Sequence, residues 1–285
     1  MDALAEKIQK TAKLIQQADS LIIATGAGMG IDSGLPDFRG ADGFWKAYPA
    51  LKLQNRNFKE IANPESFNTM PEIAWGFYGH RLQLYRNTIP HAGFHILKKW
   101  GERLPRGYSV FTSNVDGQFQ KAGFLSSRIH ECHGSIHHLQ CKEACTPYIS
   151  SAENFIPQLD VENCQLLNAP PVCIHCGRIA RPNILMFNDS KWLEYRTENQ
   201  AMVQHAWLSS VHRPVVIELG AGTSISTVRN FSERTIRRYN GHLVRINPTE
   251  PHVSRPDDIS LPMTALRALT LINDALGIAM DEKPV

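Results

Sequence analysis

The chain has 285 residues, 42% of them hydrophobic, and a formal net charge of +3, enough apolar content for one large domain or for a large domain with a smaller lobe. A charge this near balance, with no long basic run, gives composition no reason to demand nucleic acid as the partner. No stretch of about twenty apolar residues is available to cross a membrane and no apolar signal core opens the chain, so residence in the cytoplasm is expected.

Taken in chain order, Leu4 to Ala18 reads as an amphipathic helix with Ile8, Ala12 and Ile15 on one face. The run Leu21-Ile22-Ile23-Ala24 then has the unbroken apolar character of a strand buried on both faces. It leads into Gly26-Ala27-Gly28-Met29-Gly30, where missing side chains let backbone amides approach a diphosphate. Glycine spacing alone also fits a plain strand-to-turn junction. The continuation Ser33-Gly34-Leu35-Pro36-Asp37-Phe38-Arg39 adds an acid, a ring and a guanidinium that a plain turn does not need.

Residues from Phe44 to Trp100 read as several aromatic-rich helices, and there Tyr78 and Arg81 stand three apart, sharing a helix face. The strand Ser109-Val110-Phe111-Thr112 follows and delivers Ser113, Asn114 and Asp116 at its end. Next, Arg128 to Ser135 holds His133 directly before Gly134-Ser135, just past a further strand; an imidazole held open there titrates near neutrality, as a general base must. With His130, His137 and His138 close by, the same stretch also reads as a polar turn.

Between Ile136 and Arg181 lie five of the six cysteines, four of them in the pairs Cys141–Cys145 and Cys173–Cys176. Two close pairs divided by a loop suit four thiolates around a tetrahedral zinc, which, with no position left open, would be structural. Free buried thiols are the alternative, and Cys164 could stand in for Cys145. Further strands are predicted at Asn183 to Phe187, Val215 to Leu219 and Leu243 to Ile246, with Gly222-Thr223-Ser224 and Asn247 at strand ends. The cluster Arg229, Arg234, Arg237 and Arg238 reads as a solvated helix face. Strands alternating with helices predict an α/β fold with a mostly parallel sheet and ligands at the strands' carboxyl ends. Residues 1–43, 101–135 and 182–285 are expected to form the large dinucleotide-binding domain, with a helical part (44–100) and a zinc-binding part (136–181) as a small domain.

Together the Gly26-Ala27-Gly28 to Asp37-Phe38-Arg39-Gly40 block, Thr112-Ser113-Asn114-Val115-Asp116, His133-Gly134-Ser135, the paired cysteines, Arg181-Pro182-Asn183, Gly222-Thr223-Ser224 and Ile246-Asn247 resemble the sirtuins, NAD-consuming protein-lysine deacylases, from about residue 4 to residue 250. The resemblance implies a Rossmann-like large domain, a small domain bearing structural zinc, NAD as co-substrate and an acylated lysine protein or peptide as partner. In that chemistry the acyl oxygen attacks the ribose carbon that nicotinamide leaves. His133 then takes a proton from a ribose hydroxyl, with Asn114 positioning ribose or water. Gly26, Ala27, Gly28, Asp37, Phe38, Arg39, Ser113, Asn114, Asp116, Gly222, Thr223, Ser224 and Asn247 are implied to hold NAD, with Asp116 at the carboxamide and Phe38 shielding the ribose. Phe187 stands in the peptide-clamping segment. The pair Tyr78 and Arg81 resembles the Tyr-x-x-Arg of sirtuins that accept malonyl or succinyl lysine. The chain departs from the family at Gly30, at Ser113, and at Met186-Phe187-Asn188-Asp189, where Phe-Gly-Glu is usual; the alternative activity is an NAD glycohydrolase or a protein ADP-ribosyltransferase. A third reading, a catalytically silent NAD-binding or ADP-ribose-binding module, is opposed by the presence of His133 beside Asn114 and Asp116.

Overall fold

The computed structural model describes residues 3–36, 48–53 and 56–278. Its strands are β1 (Ser20–Thr25), β2 (Tyr108–Thr112), β3 (Ile129–Glu131), β4 (Gly134–Cys141), β5 (Ile149–Ser151), β6 (Leu159–Asp160), β7 (Gln165–Leu166), β8 (Ala180–Ile184), β9 (Pro214–Leu219), β10 (His242–Ile246) and β11 (Ile259–Leu261). Six of them form a parallel sheet in the order β11-β10-β9-β1-β2-β3. The chain fills one side of β1 first and then returns to fill the other. Strand order therefore reverses between β1 and β9, which opens a crevice at their carboxyl ends.

The apolar run of β1 is explained by burial on both faces. Leu21 and Ile23 point into a core shared with the helices Ala3–Gln17, Ala92–Arg103 and Ala265–Leu276. Ile22 and Ala24 point the other way, toward Leu208, Val228 and Ile236 of the helices Tyr195–Leu208 and Thr227–Arg238. The expected opening helix is present at Ala3–Gln17 and buries Ile8, Ala12 and Ile15.

A second core lies around an antiparallel sheet, β5-β4-β8, and the β6–β7 hairpin. It is filled from the helix Pro71–Asn87 by Trp75, Phe77, Tyr78 and Leu82, against Ile136, Leu139, Leu166 and Ile184. Gly76 lets this helix touch the hairpin, since a β-carbon there would strike the Cys164 carbonyl.

Two expectations change. The helix Ala92–Arg103, assigned to the small unit as far as residue 100, packs Phe94, Ile96, Leu97 and Trp100 into the core of the six-stranded sheet, and Trp100 Nε1 donates to Asn273 Oδ1 at 3.1 Å. The strand expected at Asn183 to Phe187 is β8, three residues earlier, and it pairs antiparallel with β4 instead of joining the parallel sheet. An apolar run discloses burial but not which sheet supplies its partner.

Candidate active site

The crevice between β1 and β9 is floored by two loops in backbone contact. The turn Ala27–Ser33 is a 3-10 helix, and a β-carbon on Gly28 would lie 2.6 Å from Gly220 Cα, one on Gly26 2.7 Å from Gly220 O. Gly220 itself has φ +58°. The amides of Gly26 and Gly28 donate to Leu219 O and Gly220 O at 3.0 and 3.1 Å. These glycines thus let two loops meet, a duty the sequence alone did not disclose. Gly30 is likewise tied to packing, because a β-carbon there would press on Leu35.

Beside this turn is a cleft of about 300 Å³, lined by Ala27, Ser113, Asn114, Asp116, His133, Tyr78, Arg81 and Phe187 among others. Residues far apart in sequence and predicted to act together are therefore brought together. Asn114, just past β2, donates its side-chain amide to Gly26 O at 3.0 Å, tying the end of β2 to the turn after β1. Ser113 is buried beside it and donates its backbone N–H to Thr25 O at 3.0 Å.

Asp116 is only 8% exposed. Its Oδ1 accepts the Gln118 N–H at 2.9 Å, but burial, with the Glu131 carboxylate adding to it, pushes its pKa up to about 6. An acid so raised is poised to gain a donor and ionise.

His133 occupies the two-residue link between β3, in the large sheet, and β4, in the small one. Gly134 follows with φ +78°, and a β-carbon there would collide with Asn183 O, so the link turns sharply against β8. The His133 carbonyl accepts the Leu185 N–H at 3.0 Å, which fixes the backbone that carries the imidazole. Its neighbours have structural duties. His130 Nδ1 pairs with Gln204 Oε1 at 2.9 Å and His137 Nε2 meets Asp116 O at 2.9 Å, and of the four histidines only His133 lines the cleft.

One wall of the cleft belongs to the helix Pro71–Asn87. Arg81, 9% exposed, donates from Nε and Nη2 to the Tyr85 hydroxyl at 3.0 and 2.7 Å, amid the rings of Phe77, Tyr78 and Tyr85. Burial raises the Tyr78 pKa to about 12, so its hydroxyl stays protonated. Tyr85 escaped the sequence reading, although seven residues after Tyr78 and four after Arg81 puts it on the same helix face. Leu35, Phe58, Ala62, Val115, Ile184, Met186 and Ile225 supply apolar wall that no motif marked.

The segment after β8, where the sequence departs from the family pattern, is held by its own hydrogen bonds. Asn188 adopts φ +56°, a conformation suited to glycine or asparagine. Asp189 pairs with fully buried Arg181 at 2.7 Å and accepts from Met186 N at 3.3 Å. Phe187 is held there by its N–H to Ala62 O at 2.9 Å.

Gly222, Thr223, Ser224 and Asn247 do not line this cleft; Ile225, next in the chain, does. Thr223 gives its N–H and hydroxyl to the Glu250 carboxylate at 2.9 and 2.5 Å, and Asn247 bonds Ala221 O, Thr249 and Glu250. Asp37, Phe38 and Arg39 lie outside the described residues.

In the small unit, Cys141, Cys145, Cys173 and Cys176 bring their Sγ atoms within 4.8 Å of one another. The Cys141–Cys176 and Cys145–Cys173 separations are 3.6 and 3.7 Å. Four sulfurs tetrahedrally placed about zinc at about 2.3 Å stand about 3.8 Å apart, so the donor set fits a structural zinc, and a disulfide-length contact is not what these pairs make. Cys164 is buried in the second core and is no part of the cluster.

The comparisons with known proteins agree with this arrangement. The model of the Sir2 family matches residues 26–217. The chain is similar to the NAD-dependent protein deacylase of Aquifex aeolicus, 28% identical over 258 residues, covering 90% of this chain and 95% of the relative. It is 29% identical over 273 residues to the NAD-dependent protein deacylase of Thermus thermophilus, covering 94% of each. A solved Sir2 homologue in complex with NAD superposes with a TM-score of 0.71 at 25% identity, covering 94% of this chain and 93% of the other. A variant Sir2 homologue in complex with ADP-ribose gives 0.69 at 25% identity, covering 99% and 100%.

Proposed function

Because the chain belongs to the Sir2 family, we propose that it is an NAD-dependent protein-lysine deacylase, and that residues from both of its cores meet to do the chemistry. The observation that carries this reading is the convergence of Asn114, Asp116 and His133 on one cleft whose other wall is aromatic and apolar. NAD, when bound, supplies the ribose carbon that accepts the acyl oxygen and the nicotinamide that leaves. Asp116 accepts the carboxamide N–H, and with that donor present its carboxylate form prevails. Asn114 holds the ribose side of the cleft through its tie to Gly26 O. His133 receives a proton from a ribose hydroxyl, after which acyl transfer frees the lysine. The apolar wall excludes water until then. Gly26, Ala27, Gly28, Ser113, Gly222, Thr223, Ser224 and Asn247 frame the dinucleotide, with Asp37, Phe38 and Arg39 completing its cradle.

The same reading gives the acyl chain to the chamber around Tyr78, Arg81 and Tyr85, and the peptide to the segment ending at Phe187. A guanidinium in an aromatic chamber favours an acyl group ending in a carboxylate, which accepts two charge-assisted hydrogen bonds there. Malonyl and succinyl lysine are accordingly assigned as substrates beside acetyl lysine. The six-stranded sheet forms the NAD-binding domain and the second core the small domain, with zinc held by Cys141, Cys145, Cys173 and Cys176. Four thiols in metal geometry suit a reducing compartment, the cytoplasm.

One assay tests the reading. Incubating the zinc-loaded protein and NAD with and without acetyl-, malonyl- and succinyl-lysine peptides, and identifying every product by mass, should give free lysine and O-acyl-ADP-ribose. His133→Ala should abolish both while leaving fold and zinc content intact. Nicotinamide released equally without peptide would instead make the chain an NAD glycohydrolase.

A further inference from the structure

The turn Ala27–Ser33 is gripped from behind by a residue that touches neither the cleft nor the chemistry. His91 stands immediately before the helix Ala92–Arg103 and is only 8% exposed. Its Nδ1 accepts the Gly93 N–H at 3.0 Å. A nitrogen accepting a hydrogen bond carries no proton, so the proton resides on Nε2, which faces Met29 O at 3.0 Å and donates to it. Its backbone N–H donates to Ser33 Oγ at 3.0 Å. A single residue thus holds the turn at Met29 and again at Ser33, while Asp32 between them accepts the Leu266 N–H at 2.7 Å.

Local sequence supports the device. The ring folds back over position 93, where a β-carbon would come within 2.5 Å of His91 Cε1 and 2.8 Å of Nδ1, and also within 2.8 Å of Leu269 Cδ1. Glycine at 93 therefore leaves room for the ring. Phe94 seats its other side with ring centroids 5.0 Å apart. Burial lowers the His91 pKa below the ordinary imidazole range; of the groups facing it, Asp32 from the turn and Met29 O oppose that shift, and His95 on its own helix reinforces it. With Nδ1 accepting the Gly93 N–H the ring is neutral, and its single proton is the one that Met29 O receives.

We propose that His91 is a positioning residue for the dinucleotide: its neutral imidazole is a strut that sets the height and rotation of the turn bearing Ala27 beneath the bound phosphates and ribose. The proposal rests on the NAD-binding reading above. Its effect falls on cofactor affinity, because the groups that carry out bond cleavage and proton transfer stand on other elements.

The test is calorimetric titration of the zinc-loaded full chain with ADP-ribose, which lacks nicotinamide and so bypasses Asp116. In His91→Asn the shorter side chain still caps the helix but does not reach Met29 O. It should bind ADP-ribose at least fivefold more weakly and raise KM for NAD in step, with a smaller change in kcat and a melting temperature within a few degrees of wild type. Gly93→Ala, which keeps the histidine but pushes its ring aside, should show the same loss and guards against a folding defect in the first variant. Wild-type affinity in both variants overturns the strut, as does a fall in kcat with KM unchanged. If the wild type itself binds no ADP-ribose, the functional reading fails and the proposal with it.

Discussion

Burial lifts the Asp116 pKa from 3.8 to about 6, and the sign of the consequence follows directly. A group whose folded pKa is raised stabilises the fold below its unfolded pKa, and that stability is lost as pH rises through the folded value. Above pH 6 the ionised side chain costs about 3 kcal/mol at most. Asp116→Asn keeps an acceptor for the Gln118 N–H but carries no charge. It should therefore be more stable than wild type at pH 8 by about 1–3 kcal/mol, with the gap closing toward pH 4 in thermal melts and with deacylation lost. The ionised form is the better acceptor for the nicotinamide carboxamide, so KM for NAD in the wild type should rise as pH falls below about 6, while ADP-ribose affinity shows no such dependence on Asp116. In the same cleft, Arg81→Met removes a charged donor and leaves an apolar side chain of similar reach. A hydrogen bond to a charged group contributes about 1.5–3 kcal/mol, so kcat/KM for a succinyl-lysine peptide should fall about 10- to 100-fold with the acetyl substrate nearly unaffected. Equal losses on both peptides would remove Arg81 from acyl selection.

At the scale of elements, the best test of the crevice is Gly220→Ala. The residue has φ +58° and its β-carbon would collide with the Gly28 backbone. The substitution should cost at least about 1–2 kcal/mol from backbone conformation alone and weaken ADP-ribose binding, both measurable on the purified variant. This contact also shows what the sequence could and could not disclose. The apolar run of β1 and the glycines after it were legible, because a doubly buried strand and a tight turn leave strong local marks. The partner of those glycines was not, since Gly220 lies almost two hundred residues away and nothing local distinguishes a backbone that meets another backbone from one that meets a phosphate. The pairs of cysteines were legible for the same local reason, and the exclusion of Cys164 from their cluster needed three dimensions. His133 stood among three similar histidines, and only the positions of Gln204 and Asp116 assign His130 and His137 to structural duties. Tyr85 was within reach of helical spacing, whereas Leu35, Ile184 and Ile225 have no signature beyond being apolar. The swap of β8 into the small sheet follows from pairing with β4, a long-range choice that five residues of β8 do not encode by themselves.

Across the whole molecule, two cores share few crossing points, and one of them is the link that holds His133. β3 ends in the large sheet at Glu131, β4 begins in the small one at Gly134, and β4 ends at Cys141, a member of the thiol cluster. A structural zinc contributes on the order of 10 kcal/mol to the folding of such a lobe, so chelation should loosen β4 from its far end. ADP-ribose binding, which the proposed function assigns to the β1–β9 crevice, should persist within a few-fold after treatment with a chelator, while lysine product falls steeply and returns on adding zinc. Simultaneous loss of both would mean that the two cores unfold as one. The strand joining the thiol cluster to the proposed base is eight residues, about 25 Å at the usual rise, and it has a cost that only appears when metal is scarce. In the proposed order nicotinamide departs before His133 acts, so a zinc-starved enzyme would stall with the acyl oxygen still bonded to the ribose carbon, having released about one nicotinamide per active site and no lysine. A burst of nicotinamide with no matching lysine would then mark the loss of zinc, and each molecule short of the metal would hold one NAD half spent.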